Sequence, residues 1–253
     1  MSIIIPMWSV LRASENSIPA SIDFAATAGD NTLHLRTQTN GFACTIAWGD
    51  GTTTSAPTNG GNVVHDYAVA GTYNITIYGV SFAGFYVNSQ TGMEKYVAIH
   101  SLGKWLLNTM TNCSYCFPGC TGLTTIPADL FRYNTTATSF SRCFSGCTGL
   151  TTIPADLFLY NTAATSFSYC FNGCTRLTLI SSIFGTDYST RFTGKKILFT
   201  GCFNRTSFTG AQGVAPQLWN FTYGSVTSTT CFGGVGNSET SLSNYADIPT
   251  GWK

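Results

Sequence analysis

Cysteine pairs are the feature of this 253-residue chain whose type and spacing could do chemistry. The stretch RCFSGCTGLTTIPADLF holds Cys143 and Cys147, and the nearly identical YCFPGCTGLTTIPADLF, 27 residues earlier, holds Cys116 and Cys120. Thiolates at such short spacing can bind a metal, form a disulfide or act as nucleophiles. Two neighbouring pairs would together supply the four ligands of a structural zinc site.

The cysteine motif belongs to an internal repeat. A Cys-Phe pair opens each copy, at Cys116, Cys143, Cys170, Cys202 and Cys231. The first three copies are 27 residues apart and keep serine, leucine and isoleucine at the same offsets, whereas the last two follow longer gaps. A period in the twenties with apolar residues at fixed offsets is typical of a solenoid, in which each turn stacks on the next. We therefore predict about five turns over 111–240, the last two degenerate.

The second cysteine of the pair is lost where the turns degenerate. Thr206 and Val235 take its place in turns four and five, and Cys113 stands where the next two turns carry phenylalanine. A position that accepts such residues is a buried apolar one, in which free cysteine behaves as a small hydrophobe. Stacked cysteines could form disulfides, but three equivalents in one column cannot pair evenly. A catalytic thiol would need a base, and the three histidines lie outside the repeats. We favour a reduced cysteine column and expect no metal and no cofactor.

A different pattern precedes the repeats. In CTIAWGDGTTT the apolar side chains of Ile46 and Trp48 alternate toward one face, and Asp50-Gly51 then supplies the residues that a tight hairpin turn needs. The later segment GTYNITIYG alternates in the same way, and the pairs Ile22/Phe24 and Leu33/Leu35 mark earlier strands. These signals predict a small antiparallel β-sandwich over 20–82.

Both halves of the chain resemble known modules. The order WGDG, HDY and GTYNITIYG over 44–79 resembles a PKD-like (polycystic-kidney-disease-type) immunoglobulin-type domain. The frames SYCFPGCTGL, SRCFSGCTGL and SYCFNGCTRL resemble the BspA-type, or Mycoplasma-lipoprotein-type, leucine-rich repeat. The resemblance implies a mainly β fold, with an Ig-like sandwich followed by a short leucine-rich-repeat β-solenoid. Because such repeats occur on bacterial surface proteins and in phage proteins, it also implies adhesion or recognition and not catalysis.

The expected organisation has five parts. They are an N-terminal anchoring segment at 1–19, the sandwich at 20–82, a connector with the first cap at 83–110, the solenoid at 111–240 and a C-terminal tail at 241–253. In the first part, the candidate anchoring residues are Ile3, Ile4, Ile5, Met7 and Trp8, with an extra strand or cap of the sandwich as the alternative. The N-terminus lacks the pattern of an export signal, and no apolar run is long enough to span a bilayer.

Composition narrows the function classes. Only 9% of the residues are charged and the formal net charge is +1, which gives no electrostatic case for binding nucleic acid or an acidic membrane. No phosphate-binding loop, zinc-protease motif or pair of carboxylates indicates an enzyme. We expect a non-enzymatic phage virion protein, made in the host cytoplasm and attached to other virion proteins, that serves host adhesion, receptor binding or head decoration. A homo-oligomer within an assembly is expected, and a bacterial cell-surface adhesin is the alternative.

A binding surface is expected where the turns differ from one another. The position before the opening cysteine carries Tyr115, Arg142 and Tyr169, and Tyr133 and Tyr160 form a second column. Tyrosine and arginine are favoured at contact hot spots, so these residues are the candidates for binding a host receptor or glycan. The alternative is half-buried packing beside the core phenylalanines.

Two further candidates have simpler explanations. Asp50 could bind calcium together with Asp66, but an aspartate in this turn more simply bonds its own backbone. The insertion at 185–196 concentrates Arg191 and two lysines, and we predict a solvated loop in preference to a site for an acidic ligand.

Overall fold

The computed structural model describes residues 20–26, 32–37, 43–55, 61–81, 85–86, 96–102, 111–177, 179–180, 182–185, 190–204, 215–234 and 245–253. Within these ranges the protein is mainly β, as the sequence predicted. Helix is limited there to short 3-10 segments at Leu218–Asn220, Tyr245–Asp247 and Thr250–Trp252.

Two antiparallel sheets occupy the N-terminal half. Their strands are β1 (Ala20–Ala26), β2 (Thr32–Thr37), β3 (Ala43–Ala47), β4 (Thr53–Ser55), β5 (Gly61–Asp66), β6 (Gly71–Ser81), β7 (Phe85–Tyr86) and β8 (Tyr96–Leu102). One sheet has the order β4-β3-β6-β1-β8 and the other the order β5-β2-β7. The predicted alternation is confirmed, because Ile46 and Trp48 in and just after β3 are buried, as are Ile75 and Ile77 of the neighbouring strand β6.

The hairpin between β3 and β4 is also confirmed. The two strands pair antiparallel, and the Trp48 N–H donates to the Thr52 carbonyl at 3.1 Å inside the loop. Gly49 and Gly51 have positive φ angles of 84° and 90°, a conformation that glycine adopts without steric cost. A Cβ atom on Gly49 would lie 2.7 Å from the carbonyl oxygen of Asn74, so this glycine also allows the loop to touch β6.

The sheets reach further along the chain than the sequence predicted. Strand β8 pairs antiparallel with β1, with Ala20 opposite Leu102, and β7 pairs with β2. The sheets therefore extend into the predicted connector, past the expected boundary at residue 82. Such partners are far apart in the sequence, and the pairing of an edge strand depends on tertiary context that a local pattern does not carry.

Short parallel pairings join the copies of the C-terminal repeat. Strand β9 (Thr152–Ile153) pairs with β10 (Leu179–Ile180), and β11 (Lys196–Leu198) pairs with β12 (Ser225–Thr227). Backbone hydrogen bonds extend this pattern: the phenylalanine N–H of one turn donates to the carbonyl of the cysteine that opens the next. These bonds measure 2.7–2.9 Å from Phe117, Phe144, Phe171 and Phe203. The described residues between 111 and 234 thus form five hydrogen-bonded turns, which we call the repeat stack.

Columns of phenylalanine fill the interior of the repeat stack. The longest column runs through all five turns, with ring centroids 5.5–5.6 Å apart and interplanar angles of 6–15°. Its members are Phe117, Phe144, Phe171, Phe203 and Phe232. All five side chains are buried. Stacked aromatic pairs contribute about 0.5–1.5 kcal/mol each beyond the burial of their area, so the column couples each turn to its neighbours.

Polar groups inside the bends bond to the backbone of the preceding turn. The buried Asn161 amide donates to the carbonyls of Phe131 and Asn134, both at 2.9 Å. One turn later Arg191 is the side chain that donates to the preceding turn: its guanidinium bonds to the carbonyls of Leu159 at 2.7 Å and Asn161 at 3.2 Å. Burial lowers the pKa of Arg191 to about 10. The prediction of a solvated loop is therefore wrong for Arg191, because its guanidinium replaces the asparagine as a backbone donor.

The end of the chain covers the last turn. The Phe232 N–H donates to the Trp252 carbonyl at 2.8 Å, and the Ser228 hydroxyl donates to the Gly251 carbonyl at 3.0 Å. Trp252 and Ile248 are buried. The described residues 245–253, in the segment expected to be a tail, thus pack on turn five. Trp252 provides the hydrogen-bond acceptor for the outward-facing N–H of Phe232.

Candidate recognition surface on the repeat stack

The cysteines occupy the interior of the repeat stack. None of the nine cysteines with described side chains forms a disulfide, and all nine are buried. The thiols of Cys147 and Cys174 donate to the carbonyls of Phe117 and Phe144 in the preceding turn, at 3.0 and 3.2 Å. Burial raises the pKa of Cys170 and Cys231, which keeps these thiols in the neutral form. The prediction that the cysteines pack the interior is confirmed.

Chemistry at these cysteines would require a thiolate. A thiolate is the form that attacks an electrophile or binds a metal, and burial disfavours it. Cys116 departs from this pattern, because hydrogen bonds from Cys113 and Cys143 lower its pKa to about 5 although burial opposes the change. The described part of the chain contains no cluster of three or more His, Cys, Asp or Glu side chains able to hold a metal ion.

Each turn holds the residue before its opening cysteine in the left-handed backbone region. The φ angles are 57° at Tyr115, 56° at Arg142, 56° at Tyr169, 57° at Gly201 and 53° at Thr230. In turn two the Cys143 N–H donates to the Phe140 carbonyl at 3.2 Å, which makes Arg142 the third residue of a tight turn. A positive φ at the third position is the mark of a type II turn and favours glycine there.

A second column shows what this backbone requires. Gly119, Gly146 and Gly173 have φ angles of 72°, 76° and 73°, and the Cys147 N–H closes the corresponding turn on the Phe144 carbonyl. Glycine fills this column in all three regular turns. A residue with a Cβ atom loses about 1–2 kcal/mol in the left-handed region. The tyrosines and the arginine of the first column are thus held in a conformation that their side chains disfavour.

The structure brings these three side chains together as a stripe along the stack. The Arg142 guanidinium carbon lies 5.6 Å from the centre of the Tyr115 ring and 4.8 Å from that of Tyr169. On the side of the next turn Tyr169 rests on Gly201, where an added Cβ atom would come within 2.5 Å of the ring. We call Tyr115, Arg142 and Tyr169 the Tyr-Arg stripe. Tyr115 and Arg142 are exposed and Tyr169 is half-buried.

A second group of the same kind lies at another bend. Arg132 stands 5.4 Å from the ring centre of Tyr160 and 5.9 Å from that of Tyr133, and both rings are exposed. The sequence indicated the two tyrosines but not Arg132. The available signal was the replacement of Arg132 by Leu159 one turn later, directly after the identical text CTGLTTIPADLF.

The arginines of both groups lack carboxylate partners among the described residues. The ion pair between Asp50 and His65, at 2.7 Å, is the only one that joins two described side chains. Over 111–234 the sequence has seven basic and three acidic residues, whereas 1–110 has four basic and six acidic residues. The repeats are therefore the positively charged part of a nearly neutral chain.

Asp50 serves the hairpin turn. Its Oδ1 accepts hydrogen bonds from the N–H and the hydroxyl of Thr52, at 2.9 and 2.6 Å, and its Oδ2 lies 2.7 Å from Nε2 of His65. The His65 ring stacks on Trp48 with centroids 4.6 Å apart. Although burial raises it, the hydrogen bonds from Thr52 and His65 bring the pKa of Asp50 down to about 2. The predicted turn role is confirmed.

The proposed anchoring residues Ile3, Ile4, Ile5, Met7 and Trp8 lie outside the described residues. In the described part of the chain, no helix has the length and apolar character needed to cross a membrane. Comparisons with protein-family models, curated proteins and solved structures gave no match for this chain. The argument for function therefore rests on the surface geometry.

Proposed function

We propose that this chain is a non-enzymatic recognition protein. In this proposal the two antiparallel sheets form an Ig-like sandwich of the PKD-like kind, and the repeat stack forms a short leucine-rich-repeat β-solenoid that displays the Tyr-Arg stripe. The parallel hydrogen bonds between turns and the continuous phenylalanine column support the solenoid. The resemblance of both modules to phage and bacterial surface proteins supports a role in adhesion or decoration.

The observation that carries the proposal is the presence of large side chains where the backbone favours glycine. The same turn is built with Gly146 four residues after Arg142, so the fold does not need an arginine there. Residues held in disfavoured backbone conformations cluster at functional sites. Tyrosine and arginine are also the residue types that dominate binding hot spots. A role in recognition accounts for both facts together.

We assign the protein to a phage virion, with a bacterial surface adhesin as the alternative. In the virion, residues 1–19 would attach it to other particle proteins and the repeat stack would face the host. Detection of the chain by mass spectrometry in purified particles is the expected result, and its confinement to a bacterial envelope fraction would refute the assignment. Deletion of residues 1–8 should abolish incorporation into particles, whereas unchanged incorporation would exclude this segment as the anchor.

The recognition role can be tested by retention of the purified full-length protein on host cells. Arg142→Gly removes the guanidinium and leaves a residue that suits the backbone, so we expect normal folding and a loss of retention of about tenfold or more. Arg176→Gly is the matched control, because Arg176 is an exposed arginine of turn three outside the stripe. Equal retention of both variants and the wild-type protein would contradict the proposal.

A further inference from the structure

The arrangement of the Tyr-Arg stripe limits what it can bind. The Arg142 guanidinium covers one face of the Tyr169 ring, and Gly201 covers the face toward the next turn. A covered ring cannot offer its face to a flat or apolar ligand. The groups left at the surface are the ring edge with its hydroxyl and the outer N–H groups of the guanidinium. The Tyr169 end of the stripe therefore offers hydrogen-bond donors and no open ring face.

The Arg142 side chain is preorganised for binding an anion. Two rings fix its guanidinium, so little side-chain entropy remains to be lost on binding. It is exposed, and no described carboxylate pairs with it. The planar fork of arginine matches a carboxylate with two parallel hydrogen bonds. The excess of basic residues over 111–234 favours the approach of a negatively charged partner.

The surroundings distinguish between classes of acidic polymer. Bound single-stranded nucleic acid stacks its bases on aromatic faces, and at the stripe the Tyr169 ring already carries Arg142 and Gly201. An acidic peptide that adds a strand needs an open sheet edge, whereas the backbone N–H groups of Tyr115, Arg142 and Tyr169 all bond to the next turn. Hydroxyl side chains, which suit sugar hydroxyls, occupy the neighbouring positions Thr138, Ser141 and Ser168. The Ser141 hydroxyl donates to the Ser168 carbonyl and the Thr138 hydroxyl to the Thr111 carbonyl, both at 3.0 Å, so these two are positioned to accept hydrogen bonds from a ligand.

We propose that the Tyr-Arg stripe binds the carboxylates of an acidic polysaccharide that lies along the repeat stack. The proposal rests on the recognition function proposed above and adds the chemical class of the ligand. Arg142 binds a uronate carboxylate and the hydroxyls beside it bind the sugar. Arg132, held over Tyr160, is a second fixed cation on the same stack, and contacts to one polymer at two sites strengthen binding without new chemistry.

The test uses the full-length protein and polygalacturonate, a carboxylated polysaccharide, with its methyl-esterified form as the neutral control. We expect polygalacturonate to bind at least about tenfold more tightly than the ester, measured by biolayer interferometry at low and at physiological salt. Arg142→Gly should lose about tenfold in affinity, Arg142→Lys should lose less, and Arg176→Gly should bind as the wild-type protein does. Unchanged melting of Arg142→Gly will show that the loss is not one of folding.

Three outcomes would overturn the ligand class. They are equal binding of the esterified polymer, tighter binding of poly-L-glutamate or single-stranded DNA, and full affinity of Arg142→Gly for polygalacturonate. The failure of this inference is separable from that of the proposed function. Retention on cells that depends on Arg142, with no binding of polygalacturonate, refutes only the ligand class. Retention that does not depend on Arg142 refutes the stripe as a recognition surface.

Discussion

The antiparallel sheets and the repeat stack pack their aromatic side chains in different ways. In the sheets each ring has its own set of partners: Tyr67 stacks on Tyr73 at 4.0 Å and donates its hydroxyl to the Trp48 carbonyl at 2.9 Å. In the stack one contact recurs, as each phenylalanine of the long column meets the same residue of the next turn. A side chain of the stack can therefore be compared with the equivalent residues of the other turns. The sheets offer no such comparison, because their contacts do not repeat.

The largest effect is expected from the phenylalanine column. Phe144 and Phe203 both have a ring on each face, at 5.5–5.6 Å, although Phe203 belongs to a degenerate turn. Each change to alanine should lower the free energy of unfolding by about 3–5 kcal/mol, since it leaves a cavity in a packed interior. Urea denaturation followed by circular dichroism measures both. A loss at Phe203 less than half of that at Phe144 would contradict the equivalence of the turns.

The buried asparagine gives the next effect. Asn161→Ala leaves the carbonyls of Phe131 and Asn134 buried without this donor, and we expect a loss of about 2 kcal/mol in the free energy of unfolding. Asn220→Ala is the control, because the Asn220 amide donates to the Gln217 side chain at an exposed site. That change should cost less than about 0.5 kcal/mol. Similar losses for the two variants would show that the amide does not hold the bend.

A smaller effect on stability is expected to distinguish the glycine column that contains Gly146 from the column that contains Arg142, both of which have a left-handed backbone. Gly146→Ala should lose about 1 kcal/mol, because its φ of 76° disfavours a Cβ atom while no neighbour lies closer than 3.6 Å. Arg142→Gly should change stability little, since relief of about 1–2 kcal/mol of strain offsets two cation–π contacts of about 0.5–1 kcal/mol each. Thermal unfolding of both variants checks this contrast. A large loss in Arg142→Gly alone would mean that the arginine serves the fold.

The smallest effect is the pH dependence of stability that Asp50 gives to the antiparallel sheets. The pKa of Asp50 is lowered from 3.8 to about 2, so its contribution to stability is present above pH 3.8 and is lost as the pH falls toward 2. The melting temperature of Asp50→Asn should therefore differ from that of the wild-type protein above pH 3.8 and approach it near pH 2. Because the carboxylate is partly exposed, a shift of a few degrees is expected. A constant difference across this range would exclude the carboxylate as the cause.

The interior of the repeats could be predicted because each turn repeats the contacts of the last. The Cys-Phe pairs at Cys202 and Cys231 marked turns four and five despite their altered spacing. The same comparison of turns marked Tyr115, Arg142 and Tyr169 as candidates for binding, because the copies differ at this position, and left half-buried packing as the alternative. In a repeat sequence, residues kept in every turn thus indicate the packed interior, and residues that differ between turns indicate positions that packing does not determine.

The parts that escaped prediction depend on contacts between distant segments. Nothing in the local sequence shows that Tyr169 has a positive φ, because the usual signal of that conformation is glycine. The replacement of Asn161 by Arg191 as the inner donor follows an insertion that breaks the alignment of the copies. Arg132 was missed because its two ring partners come from different turns.

The cover on turn five has a consequence for how such a chain can change in length. Its outer amide, on Phe232, already bonds to Trp252, so the C-terminal side is closed to a further copy. The identical text CTGLTTIPADLF at 120–131 and 147–158 shows where a 27-residue unit can be duplicated in register. Gene duplication between these points would lengthen the displayed stripe and leave the contact between Phe232 and Trp252 unchanged. Repeat number is thus a quantity that evolution, or an engineer, can adjust without redesigning the end.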